Sequence, residues 1–195
     1  MSDYSFLEKY FFKKRYIFVY DLNNIRPISK LINIIDVRDV NKILKKDIKI
    51  TQRLQMYISK RKNSSSWKLF LYIDNNEIQG YSFLHTPTSI EWNDSLPTNI
   101  NEARESSTFV EDKNRGLGIR GEILNAQKIF SKENNKKMWC VIERINYSSL
   151  ISTKKSGVVD ERKNYLVKLI GRNIFSVVLK PLNFFILYGA KRASR

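Results

Sequence analysis

Asn114-Arg115-Gly116-Leu117-Gly118-Ile119-Arg120-Gly121-Glu122-Ile123-Leu124 follows closely on the run Ser107-Thr108-Phe109-Val110. The order reads as a strand, a short loop rich in glycine and arginine, and then an amphipathic helix. Amide N–H groups at a helix N-terminus carry partial positive charge and point outward, and glycines let an anion come close to them. The segment therefore reads as a phosphate-holding corner, with the pyrophosphate of a cofactor as its expected guest. The competing reading is a plain strand-to-helix turn that exposes an arginine.

Elements on either side of this corner define the fold class. Lys14 to Leu22 alternates β-formers, and Leu31 to Ile35 reads as a second strand. Asp36 or Asp39 is placed to cap a helix through Val40, Ile43 and Leu44, and another helix holds Leu54, Met56, Tyr57 and Ile58. Trp67 to Ile73 and Ile78 to Leu84 form a hairpin pattern around Asp74-Asn75-Asn76-Glu77. His85 to Arg104, with Pro87 and Pro97, reads as a long polar connection. Then come the strand 105–110, the glycine loop and a helix to about Phe130, whose Ile119, Ile123, Ala126, Ile129 and Phe130 repeat at helical spacing. A strand over Lys137–Ile142, a short helix over Asn146–Lys155 and a closing hairpin around Gly171-Arg172-Asn173 complete the order. Strands and helices intermix, which predicts an α+β domain with a mixed sheet covered by helices. One domain over 1–195 is expected, with its core at about 15–180 and a basic tail.

Charge narrows the partners. Lys and Arg total 35 against 19 Asp and Glu, for a formal charge of +16. Residues 1–63 carry 15 basic and 6 acidic side chains, 64–114 carry 3 and 8, and 115–195 carry 17 and 5. Cofactor phosphates, nucleic acid and an acidic lipid surface all suit such a balance. Cys140 is the only cysteine and lies in an apolar run, so it reads as a packing residue in a reducing, cytoplasmic compartment. No leader and no membrane span is read in the chain. One His and one Cys supply no zinc ligand set, so no metal is expected.

The order and the residues together resemble the GNAT superfamily of acyl-CoA N-acyltransferases. Its signature is Arg or Gln, two residues, Gly, one residue, then Gly or Ala. Arg115 through Ile119 fits, and Arg120 stands where the family usually has a small residue. A second signature follows at the right distance: the strand Met138–Ile142, then Asn146-Tyr147-Ser148-Ser149, then Gly157-Val158. The hairpin containing Gly80-Tyr81 is similar to the family's second and third strands, so the resemblance covers about residues 15 to 180.

The resemblance implies a mostly antiparallel sheet, splayed in the middle, and acetyl-CoA as cosubstrate. Arg115, Gly116, Leu117, Gly118, Ile119 and Arg120 would hold its pyrophosphate, and backbone groups of Thr108, Phe109 and Val110 its pantetheine arm. Asn146 would contact that arm or cap its own helix. The implied reaction is acyl transfer to a primary amine, which needs a base. Glu105 is the first candidate, Glu91 and Glu102 are reserves, and His85 titrates in a useful range. The family often has a Tyr seven residues after the helix Asn; here that residue is Thr153, leaving Ser149 or a tyrosine elsewhere as the acid. Tyr81, His85, Glu91 and Trp92 would lie on the acceptor side, suited to an amino sugar. Aminoacyl-tRNA or a ribosomal protein is an alternative acceptor. A noncatalytic nucleic-acid-binding module and a peripheral membrane protein using Phe184–Tyr188 with Lys191, Arg192 and Arg195 are readings from other classes.

Overall fold

The computed structural model describes residues 11–40, 48–93, 95–169, 172–179 and 184–188. Its strands are β1 (Phe12–Tyr20), β2 (Ile32–Asp36), β3 (Trp67–Asp74), β4 (Glu77–His85), β5 (Glu91–Asn93), β6 (Leu96–Thr98), β7 (Glu102–Val110), β8 (Lys137–Glu143), β9 (Val158–Leu169), β10 (Arg172–Leu179) and β11 (Phe184–Tyr188). The helices are α1 (Gln52–Ser59), α2 (Ile119–Glu133) and α3 (Tyr147–Lys154). They fall into two compact units. The glycine-loop unit holds Leu22–Ser89 and Asn99–Met138; the terminal unit holds the chain up to Asp21, Ile90–Thr98 and Trp139 onward.

In the glycine-loop unit, β7, β4, β3 and β2 lie side by side, each antiparallel to its neighbour. β3 and β4 turn over Asn75 and Asn76, with φ of 50° and 61°. Two left-handed residues match the twist of a tight hairpin, and Asn tolerates that region. Trp67, Leu69, Leu71, Tyr81 and Phe83 form one apolar cluster with Leu54 and Ile58 of α1. Thr51 starts α1 by accepting the Leu54 N–H at Oγ1, 3.3 Å. Phe70 instead meets Phe130 of α2 edge-on, with ring centroids 5.9 Å apart. Period-two alternation thus serves two helices from one hairpin.

Gly80 is set by close approach. A Cβ there would lie 2.9 Å from Ile119 Cγ2, 3.2 Å from the Phe109 carbonyl oxygen and 3.3 Å from Ile123 Cδ1. Its absence lets the start of α2 rest on β4.

β4 and β7 are joined through a bulge. Tyr81 pairs with Phe109 but Phe83 pairs with Ser106, so Ser107 and Thr108 together oppose Ser82. Ser107 takes φ +55°, which an L residue adopts only where its surroundings enforce it.

In the terminal unit the order is β11-β10-β9-β1-β8, again antiparallel throughout. Ile17, Val19, Leu96, Trp139 and Val178 make its core. Cys140 is buried and accepts a hydrogen bond from the Tyr20 hydroxyl, 3.2 Å, in keeping with a packing role.

Several boundaries move. The polar stretch 85–104, expected as a connection, contains the hairpin β5–β6, anchored by buried Leu96 and by Ser176 donating to the Ser95 carbonyl. β7 begins at Glu102, and β9 begins at Val158 because it pairs along the whole of β1. Asp36 caps a single 3-10 turn, Val37–Asp39; Ile43 and Leu44 lie outside the described residues, as do Lys191, Arg192 and Arg195. Phe184–Tyr188 is a strand paired with β10. Among the described residues no helix is long and apolar enough to cross a membrane.

Candidate active site

The glycine loop leaves β7 through a 3-10 turn, Asp112–Asn114, and becomes α2 at Ile119. Gly116 and Gly118 take φ +87° and +79°, and a Cβ on either would meet nothing within 4 Å. Glycine is required there by backbone conformation, and the space beside it is open. Gly118 is the N-cap and supplies no side chain to close the helix; the first helical bond runs from the Glu122 N–H to the Gly118 carbonyl, 3.1 Å. The amides of Ile119, Arg120 and Gly121 precede any intrahelical acceptor. Leu117 is 70 % exposed, whereas Ile119 packs inside. The Arg115 guanidinium is exposed and pairs with Asp112, 2.5 Å.

Arg120 turns inward. Its Nη2 lies 4.0 Å from Oε1 of buried Glu105. Glu105 Oε1 also accepts from the Thr108 hydroxyl, 2.7 Å. Thr108 lies 2.7 Å from the Ser82 hydroxyl, and Ser82 accepts from Gln127 Nε2, 3.0 Å. Since Thr108 donates to Glu105, the direction is set: Gln127 to Ser82 to Thr108 to the carboxylate. A hydroxyl has one proton to give, so every link depends on the next. Sequence reading found Glu105, Thr108 and Arg120 but missed Ser82 and Gln127. The signal for Gln127 was present: it is a buried polar residue four positions after Ile123 on the apolar helix face.

The opposite face of β7 meets α1. Arg61, just beyond α1, donates from Nη1 to the Tyr57 carbonyl at 3.2 Å and from Nη2 to the Ser107 hydroxyl at 2.9 Å and the Ser106 hydroxyl at 3.4 Å. Its guanidinium also lies over the rings of Trp67 and Phe83, 4.6 Å from each centroid, and over Tyr57. It thus ties the bulge to α1. Arg53 lies over Phe109 at 4.4 Å. Tyr81 stands among Tyr57, Phe83 and Phe109. It is 1 % exposed, and among the described residues its hydroxyl has no hydrogen-bond partner. Such a group costs about 1–3 kcal/mol when left unpaired. Burial pushes the Tyr81 hydroxyl up to about 12, outweighing the opposing charge of Arg53.

The other expected site residues are dispersed. His85 is buried and stacks on Trp67, centroids 4.4 Å apart. Glu102 accepts from the Asn99 N–H and side-chain amide, 2.9 and 3.2 Å, and so holds a turn. Val110 pairs with Gly80 at the end of β7. In the terminal unit, Glu91 and Trp92 form half of the hairpin with β6. Asn146 caps α3, its Oδ1 accepting from the Ser149 N–H and the Ser148 hydroxyl at 3.3 Å each. Ser149 is half-buried, and Thr153 is fully buried.

No protein-family model and no curated protein matches the sequence. Solved structures do. A GNAT-family protein from Novosphingobium aromaticivorans superposes with a TM-score of 0.57 at 9 % identity, covering 79 % of this chain. A GNAT-family acetyltransferase from Colwellia psychrerythraea gives 0.53 at 14 % identity over 81 %. The chain has the GNAT fold. Its sheet is mixed but mostly antiparallel and is flanked by helices, as the resemblance implied. The matched region spans 62 % and 57 % of those two chains.

Proposed function

We propose that the protein transfers an acetyl group from acetyl-CoA to a primary amine. The observation that carries this reading is the uncapped start of α2 behind two left-handed glycines, in a chain with the GNAT fold. The amides of Ile119, Arg120 and Gly121 would take the pyrophosphate, with Arg115 as a flexible cation beside them. The backbone of Thr108, Phe109 and Val110 would receive the pantetheine arm.

In the reaction, the amine nitrogen attacks the thioester carbonyl carbon. The carbon–sulfur bond then breaks, and the proton released from nitrogen passes to a base. We assign that base to Glu105, because it is the carboxylate on β7 beside the bulge and a proton relay already ends on it. The thiolate leaves readily at neutral pH and can be protonated by solvent. The acceptor we favour is an amino sugar in the cytoplasm. Aminoacyl-tRNA is the second reading, favoured by the charge of +16.

Thermal denaturation with acetyl-CoA tests the core of this. At 100 times its dissociation constant the ligand adds about 2.7 kcal/mol of stability. Gly118→Asp puts a strained residue and a carboxylate at the phosphate corner and should abolish the gain. Thiol release on adding amines then tests turnover. A protein that binds RNA with steep salt dependence but shows no coenzyme-dependent stabilisation is a different kind of molecule.

A further inference from the structure

We propose that the α1-facing side of the β7 bulge is an anion subsite, in which Arg53 and the Tyr81 hydroxyl hold a carboxylate or phosphate carried by the acceptor amine. This rests on the acyltransferase reading above and narrows its substrate class.

Three observations converge. Tyr81 offers a buried hydroxyl that nothing among the described residues satisfies. Native proteins rarely leave such a group unpaired unless a ligand or water completes it. Burial also keeps its proton in place far above neutral pH, so it acts as a donor, the role an anion requires.

Arg53 provides the charge. Its guanidinium lies flat over Phe109, 4.4 Å from the centroid, and among the described residues it forms no ion pair or hydrogen bond. A guanidinium stacked in this way keeps its in-plane N–H fork available for two oxygens of one carboxylate or phosphate. Arg53 and Arg61 both act on the Tyr81 hydroxyl as nearby positive charges, opposed by Glu111.

Arg61 is the fixed wall of the subsite. Its two terminal nitrogens are committed to Tyr57, Ser106 and Ser107, and its guanidinium is stacked on aromatic rings. That division separates a rigid arginine from an available one. Phe109, on which Arg53 is stacked, belongs to the stretch of β7 whose backbone would receive the pantetheine arm, which puts Arg53 beside the coenzyme within this unit.

The test uses matched amines that differ by the anionic group: lysine against 1,5-diaminopentane, and glucosamine 6-phosphate against glucosamine. Acetylation is followed by thiol release at saturating acetyl-CoA. For at least one pair, the anionic member should be favoured in kcat/KM by about tenfold or more, the scale of one charge-assisted contact. Which pair responds tells carboxylate from phosphate. Arg53→Ala should erase the preference through KM with kcat nearly unchanged. Arg53→Lys should restore part of it, and Tyr81→Phe should weaken it. Equal or better use of the neutral members, or a preference that survives Arg53→Ala, overturns the proposal. If no amine is turned over, calorimetric titration of the coenzyme A-loaded protein with lysine and with glucosamine 6-phosphate decides, and absence of binding overturns it. Acetyl-CoA stabilisation measured in parallel separates the two failures: its loss in the wild type ends the acyltransferase reading as well, whereas its persistence confines the failure to the subsite.

Discussion

The two faces of β7 handle polarity in opposite ways. Toward α2, Gln127 Nε2, Ser82, Thr108, Glu105 and Arg120 form one continuous chain, with Gln127 Oε1 left over at its start. Toward α1, the polar groups are set among aromatic rings: Arg61 is tied down through its terminal nitrogens, while Arg53 and the Tyr81 hydroxyl have no hydrogen-bond partner among the described residues. A connected network rigidifies, whereas polar groups set apart from one another are costly unless something joins them. The first face therefore looks built to hold the strand and its carboxylate, and the second to receive a molecule. The same strand does both because Ser107, at φ +55°, resets the alternation between Ser106 and Thr108.

The comparison is easiest to break at Glu105. Glu105→Gln keeps the shape but removes the base, so kcat/KM should fall by about 10²-fold or more while acetyl-CoA stabilisation persists. Loss of stabilisation instead would make Glu105 a structural member of the chain and nothing further. Next in size, Ser82→Ala should cost about 1–3 kcal/mol in urea denaturation, since it strands both Gln127 and Thr108 in the interior. The equivalent deletion on the other face, Tyr81→Phe, should instead raise stability, by up to about 1–3 kcal/mol, because it removes a buried hydroxyl with no hydrogen-bond partner among the described residues. Similar costs for the two would mean that the faces do not differ. The last effect is in alkali. Tyr81 is raised from 10.0 to about 12, so its burial stabilises the fold fully below pH 10 and that contribution is lost as pH climbs through 12. Tyr81→Phe should flatten this part of the stability profile in the same denaturation assay run from pH 9 to 12.

The corner at Arg115–Arg120 was legible from sequence because glycine placement, charge and the following helical repeat all report locally. So was the Asn75–Asn76 hairpin. The face assignments on β7 were not. Period-two reading puts Ser106 and Thr108 on one side, and a bulge reverses one of them. Arg61 was missed because its partners, Ser106 and Ser107, are more than forty residues away and nothing local marks it. The hairpin β5–β6 was missed because three-residue strands are too short for alternation to register. Asn146 was correctly weighed as a cap, since that role depends only on the residue type and the helix behind it.

The missing side chain at position 80 has a reach beyond its own strand. Because Ile119 settles into the notch it leaves, the hairpin's second strand sets how deep the first turn of α2 sits. A single methyl group added there would act as a wedge, tipping that turn outward and carrying Gly118 with it. The grip on a diphosphate some distance away can then be weakened from the hairpin without touching one donor, which makes this strand the natural place for evolution to tune how firmly the coenzyme is held.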